Sequence, residues 1–256
     1  MIPSQFEIGP FSFHIYGFLI GIAIVIGWYV CKVRAKLYKI PQSIFEDSIL
    51  LVPLLMAFIG ARLYHVLDYR NVYFKDPITI FYVQNGGLGI WGGLLGTVLG
   101  LIIVSKVKKI NIINALDLIA PALALGQAIG RLGNYINQEG FGPPTNLPWA
   151  VEIQAKNRPL QYILYSRFHP TFFYEAILDL LTFIILIYLS KKFKAPGRIF
   201  SLYLIFYSLS RFLVEFFRID TWQISGIKVA QVLSVLTLIL GITFFFKIPK
   251  LIRKRS

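Results

Sequence analysis

The chain has 256 residues, 56% of them hydrophobic and only 15% charged, against about 45–50% and about 25% in soluble proteins. So few charges exclude a disordered chain or a coiled coil, too little polar surface remains to clothe a water-soluble core, and a lone cysteine, Cys31, excludes a disulfide scaffold. Lys and Arg number 26 against 12 Asp and Glu, for a net charge of +14, but the cations cluster between apolar stretches, which points to membrane topology rather than to nucleic acid.

Seven apolar stretches, near 13–31, 48–67, 88–105, 113–135, 170–190, 198–217 and 229–249, are long enough to cross a hydrocarbon layer of about 30 Å. After the first come Lys32, Arg34, Lys36 and Lys39; after the third, Lys106, Lys108 and Lys109; after the fifth, Lys191, Lys192, Lys194 and Arg198; after the seventh, Lys247, Lys250, Arg253, Lys254 and Arg255. The alternate segments hold only Arg70, Lys75, Lys156, Arg158, Arg167, Arg218 and Lys228. By the positive-inside rule the rich segments are cytoplasmic. The expectation is an all-α polytopic integral membrane protein of seven transmembrane helices, N-terminus outside and C-terminus cytoplasmic. Residues 1–256 form one transmembrane domain, with 138–169 inserted as a small extracytoplasmic head. No charged leader precedes the first span, and the tail Ile252–Ser256 is no prenylation box.

In chain order, the first span opens on His14 and Tyr16 and closes on Cys31, read as a small buried hydrophobe. The second carries Arg62 and His65 toward its outer end. The third opens with Gly86-Gly87-Leu88-Gly89-Ile90-Trp91-Gly92-Gly93, which lacks the Lys-Ser/Thr of a phosphate loop. Gly92, Gly96 and Gly100 form a small-residue packing edge there, and Trp91 suits an interface anchor. The fourth span has Asp117 near its cytoplasmic start, read as a helix-start charge, then a dense polar run from Gly126 to Gly140. Gly126, Gly130 and Gly133 share a face suited to close packing, while Arg131 and Asn134 lie one turn apart and can point at one ligand. The fifth span begins at His169-Pro170 and buries Glu175, with Asp179 deeper and without an evident partner. In the sixth, Tyr207, Arg211 and Glu215 are spaced i, i+4, i+8 and form one stripe.

A charge at the bilayer centre costs about 2.5–3.5 kcal/mol on insertion scales. Arg62, Arg131 and Arg211 all fall in the outer half of their spans, as do His14, Tyr16, His65, Trp91, His169 and Glu175. Facing them, Glu139, Glu175 and Glu215 allow two readings. One is a closed ion-pair network. The other is a set of arginines reaching for an anion, for which the planar guanidinium is suited. Neither metal-ligand spacing nor a GxSxG elbow is present, so no metal and no cofactor is expected.

The blocks HIYG (14–17), GARL (60–63), GGLGIWGG (86–93), GRLGNYINQEGFG (130–142), HPTFFYE (169–175) and YSLSRFLVEFFR (207–218) resemble, in order, those of the prolipoprotein diacylglyceryl transferases. The resemblance implies transfer of the sn-1,2-diacylglyceryl group from phosphatidylglycerol to the lipobox cysteine thiol of a prolipoprotein signal peptide, forming a thioether and releasing glycerol phosphate. It implies an enzyme of the bacterial cytoplasmic (inner) membrane, surrounded by membrane lipid, with its active site toward the outer leaflet. By motif position it assigns catalytic roles to Arg131, Arg211, Glu139, Glu215, Tyr16 and His14. Substrate binding falls to Arg131, Asn134, Tyr207, Arg211, Gly142, Arg62, Glu175 and His169. The chain departs from many relatives at Trp91, where they carry a histidine, so no imidazole acts there. A transporter or flippase for an anionic lipid or solute is the rival reading. It predicts polar groups lining both halves of the membrane.

Overall fold

The computed structural model describes residues 5–8, 11–83 and 86–253. Lys254, Arg255 and Ser256, at the end of the last cationic cluster, lie outside the described residues. Every apolar stretch read from sequence holds a helix, displaced by four residues or fewer at either end: α1 (Ile15–Arg34), α2 (Leu51–Asp68), α4 (Ile90–Val107), α5 (Ile112–Asn137), α6 (Thr171–Lys192), α7 (Arg198–Glu215) and α8 (Val229–Arg253). A one-turn helix, α3 (Arg70–Tyr73), follows α2. Among the described residues, short 3-10 turns and three two-stranded antiparallel ribbons join the helices: β1 (Gln5–Ile8) with β2 (Phe11–His14), β3 (Val151–Glu152) with β4 (Arg167–Phe168), and β5 (Gln223–Ile224) with β6 (Ile227–Lys228).

Among the described residues, six of the helical segments are long and apolar enough to cross a membrane. The remaining long helix, α7, differs in composition: it carries Arg198, Arg211 and Glu215, and it buries Ser201, Ser208, Ser210 and Glu215. Its polar face is turned into protein. Several helix hydroxyls are satisfied locally: Thr97, Thr182, Ser201, Ser208 and Ser234 each donate to the carbonyl four residues earlier, whereas the buried Ser210 hydroxyl has no hydrogen-bond partner among the described residues.

The chain divides into two compact units, residues 35–115 and the remainder. Within 35–115, α2 and α4 run antiparallel in close contact. A side chain at Gly60 would strike the Gly92 carbonyl oxygen, and one at Gly92 the Gly60 oxygen. One at Gly96 would meet the Met56 oxygen, and one at Gly100 the Pro53 Cα at 2.5 Å. The glycine edge read from sequence is therefore a helix-packing seam.

In the larger unit α1 lies antiparallel to α5: Arg34 Nη1 donates to the Leu118 carbonyl at 3.0 Å, Gly27 faces the Ala122 methyl, and Tyr16 fills the space a side chain would need at Gly133. Arg34, counted from sequence among the cytoplasmic charges, is buried. Ala120 and Ala124 of α5, Leu186 of α6, and Ile199 and Tyr203 of α7 form one core. A second core, Phe141, Ile153, Phe168 and Phe172, joins the 138–169 segment to the first turn of α6.

Two readings of polar and glycine positions are corrected. Asp117 is no simple helix-start charge. It is buried, and its carboxylate accepts the Gly197 and Phe200 amides at 2.7 and 2.8 Å, capping α7 from α5. Of the face Gly126, Gly130 and Gly133, only Gly133 is a close-packing glycine. Nothing described lies within 4 Å of a side chain placed at the other two.

Candidate active site

The end of α5 is built to fold back on itself. Gln138 takes a left-handed conformation (φ 54°), and the Glu139 amide returns to the Asn134 carbonyl at 3.0 Å, a pattern that ends helices. This turn brings the Glu139 carboxylate over the last turn of α5, where it accepts from Asn134 Nδ2 at 3.0 Å and Asn137 Nδ2 at 3.2 Å. Asn134 Oδ1 in turn accepts from Arg131 Nη1 at 3.1 Å. The chain Arg131–Asn134–Glu139 thus arises from one helix and its cap.

Glu175 ties three helices together. Arg131 Nη2 of α5 pairs with its Oε1, and Arg211 Nη1 of α7 donates to its Oε2 at 3.2 Å. Arg211 Nη2 lies 2.8 Å from Glu215 Oε2 on the next turn. Both glutamate side chains are nearly sealed, at 2% and 1% exposure, whereas Arg131 and Arg211 keep 22% and 17%. A buried carboxylate therefore fixes two guanidinium groups whose outer edges stay open. Donors remain: each guanidinium has five N–H groups, and the terminal nitrogens of Arg131 and Arg211 each make one of the contacts described. The arrangement can take the oxygens of one anion between two planar forks.

Around this centre, the Tyr207 ring stacks on Tyr203 at 6.0 Å, and the Tyr203 hydroxyl donates to Gln127 at 3.2 Å. The polar stripe of α7 therefore begins one turn earlier than the motif reading placed it. The i, i+4 spacing of Tyr203 to Tyr207 was the available signal. Asp179, buried one turn below Glu175, leaves Oδ2 without a hydrogen-bond partner among the described residues.

Other expected site residues take different places. Tyr16 lies against Gly133, between Arg131 and Asn134 in sequence. Gly142 is small because Phe217 and His169 press on it, and its amide donates to the His169 carbonyl at 2.8 Å. His169 Nδ1 and the Tyr174 hydroxyl are hydrogen-bonded at 3.1 Å, and that hydroxyl accepts from Trp149 Nε1 at 2.9 Å. His14 is exposed at the end of β2. Neither histidine bonds to the arginine centre among the described residues. Arg62, in the 35–115 unit, donates to the carbonyls of Thr79, Ile80, Gly86 and Gly87 at 2.8–3.0 Å. It organises the loop before α4 and helps line a cavity of about 190 Å³ with His65, Tyr73 and Tyr82.

Comparison with known proteins covers the whole of this centre. The family model described as prolipoprotein diacylglyceryl transferase matches residues 3–247. The chain belongs to this family. Among curated relatives named phosphatidylglycerol–prolipoprotein diacylglyceryl transferase, that of Synechocystis is 39% identical over 93% of this chain and 86% of its own length. The Finegoldia magna protein is 38% identical over 93% and 92%, and the Thermotoga maritima protein 40% over 94% and 82%. The family match runs across both compact units and includes every element of the Glu175 centre.

Proposed function

We propose that this family member transfers the sn-1,2-diacylglyceryl group of phosphatidylglycerol to the lipobox cysteine thiol of prolipoproteins, the first step of bacterial lipoprotein maturation. The observation that carries the reading is Glu175, a sealed carboxylate holding Arg131 and Arg211 with their outer edges open. The thiol sulfur attacks the glyceryl carbon that bears the phosphate. That carbon–oxygen bond breaks, its electrons leave with glycerol phosphate, and the thiol proton is released. Arg131 and Arg211 hold the phosphate and stabilise the charge that grows on it. Asn134, Glu139 and Glu215 orient the two arginines, and Tyr16 and Tyr207 wall the site. A thiol with an ordinary pKa near 8.5 needs only modest activation, and Trp91 supplies none of it.

The same reading gives the chain seven spans, with α7 sheltered among its neighbours as the sixth. Its N-terminus is outside and its C-terminus cytoplasmic, in one transmembrane domain carrying 138–169 as an extracytoplasmic head. The site then opens toward the outer leaflet of the cytoplasmic membrane, where both lipid-embedded substrates reach it.

The test uses the purified protein in phosphatidylglycerol vesicles with a lipobox peptide, and a Cys→Ser peptide as control. Thiol-dependent glycerol phosphate release with a diacylglyceryl gain in peptide mass is expected. Release without peptide modification would make the protein a phospholipase. No reaction beside an active relative would favour the anion-transport reading.

A further inference from the structure

Residues 153–166 form an excursion between the paired strands β3 and β4. Its base is closed by the Ile153 amide, which donates to the Ser166 carbonyl at 3.0 Å. Arg158 closes it further, with Nε and Nη1 donating to the Ile153 and Ile163 carbonyls at 2.7 and 3.1 Å. Tyr162 turns inward onto Phe168. Its neighbours turn outward. Leu160 and Leu164 are 91% and 94% exposed, the highest values among the large hydrophobic residues described, and Ile163 and Tyr165 are exposed beside them. Unlike the bare leucines of the long helices, these stand on a loop outside any membrane-length helix.

The charges around the tip are mainly cationic. Lys156, Arg158 and Arg167 make no ion pair with any carboxylate among the described residues, and the lone acidic neighbour is Glu152. The excursion is also anchored close to a membrane helix. Phe168 packs with Phe172 in the first turn of α6, and Trp149 donates to Tyr174 one turn from the same helix start. The apolar tip therefore projects from the mouth of a membrane-length helix. Apolar side chains ringed by Lys and Arg are the pattern of elements that sit at the surface of anionic bilayers.

We propose that this tip docks on an anionic lipid leaflet, with Leu160 and Leu164 entering the acyl boundary and Lys156 and Arg158 at the headgroup phosphates. A peptide is the less favoured occupant, because Leu160 and Leu164 are almost fully exposed and the cations beside them suit lipid phosphates. The tip would hold the head at the surface from which a lipid donor is drawn, but the docking does not depend on the transfer reaction.

The whole chain with Cys31→Ser and Leu164→Cys, labelled with an environment-sensitive fluorophore, would be reconstituted in vesicles with and without phosphatidylglycerol. The same label at Glu152→Cys serves as the aqueous reference. At 164 the label is expected to be quenched by shallow nitroxide lipids and severalfold less by aqueous iodide than at 152, with both effects stronger in anionic vesicles. Iodide quenching equal at the two positions would overturn the proposal. So would protection that appears only when a lipobox peptide is added, or only as protein density rises, since these would assign the tip to a peptide or to a second copy. Protection equal in neutral vesicles would overturn the role given to the cations. Fluorescence reports position without turnover, so the result stands apart from the transfer assay.

Discussion

Asp117 and Gly197 lie 80 residues apart, yet the Asp117 carboxylate accepts the Gly197 amide at 2.7 Å and the Phe200 amide at 2.8 Å. A helix start leaves amides without partners, and α7 has no cap of its own because Gly197 stands at that position with φ 86°. Asp117→Ala should therefore cost about 1–2 kcal/mol, the range of a lost cap. Asp117→Asn, which keeps an acceptor oxygen, should recover part of it. Thermal unfolding of the detergent-solubilised protein measures both. At temperatures where the variants are folded, transfer activity should change far less than for any substitution at Glu175.

Glu175 is the position where charge and geometry coincide. Glu175→Gln keeps the shape but leaves Arg131 and Arg211 converging without their shared counter-charge. The loss expected is about a hundredfold or more in kcat, the scale seen when one pre-organised electrostatic contact is removed. KM for phosphatidylglycerol should hold or fall, because two freed guanidinium groups still attract the lipid. Arg131→Lys should lose a comparable factor, because a single ammonium cannot serve Asn134 and Glu175 as two arms of a fork do. Kinetics over a range of phosphatidylglycerol fractions separate the two parameters. A Glu175→Gln enzyme at full rate would remove the centre from the mechanism.

Much of this was legible in the sequence because a membrane makes the pattern coarse. Seven apolar stretches found their helices; Arg131, Arg211 and Glu215 stand out because charge within apolar sequence is costly, and Asn134 because it lies one turn from Arg131. What sequence could not show was partnership across the chain. Asp117 looked like the ordinary acid of a helix start, since the amides it caps are on another helix. Glu175 stands in the sequence as one of three carboxylates facing the arginines, and nothing near it marks it as the bridge between two of them. Gly126, Gly130 and Gly133 share a face by spacing alone, and only the position of Tyr16 separates the third from the others. Arg62 was grouped with the anion-binding arginines, and its four bonds to loop carbonyls depend on a turn that spacing does not encode.

A titration separates a local electrostatic contact from the intramembrane ones. Asp47 pairs with Lys108 and accepts the Ile49 amide at 2.9 Å. The Lys108 ammonium first, and the Ile49 amide second, hold its carboxyl below the usual carboxylate range. A depressed folded pKa means that the contribution is present above the unfolded value, near 3.9, and is lost as pH falls through the folded one. Because the pair is exposed, its share of stability is small. Lys108→Ala should move the Asp47 titration up toward the ordinary value without abolishing the Ile49 effect. Carboxyl-resolved NMR of the labelled protein in micelles reads the shift.

The glycines give the sharpest contrast, since residues of one type face opposite surroundings. In α4, a side chain at Gly96 would strike the Met56 carbonyl oxygen, a backbone atom that cannot swing aside. Gly96→Val must push α2 away, and overpacking of this kind costs about 1–3 kcal/mol. The 35–115 unit should become more susceptible to protease and melt earlier. In α5, a methyl group at Gly126 meets nothing described within 4 Å, and replacing a mid-helix glycine by alanine gains about 0.5–1 kcal/mol. Gly126→Ala should therefore be neutral to stabilising in thermal unfolding. If Gly126→Ala instead kept stability but reduced transfer, the open face of α5 at Gly126 would have to be space that substrate needs, and a graded series at 126 through alanine, valine and leucine would show activity falling with side-chain volume while the melting temperature held.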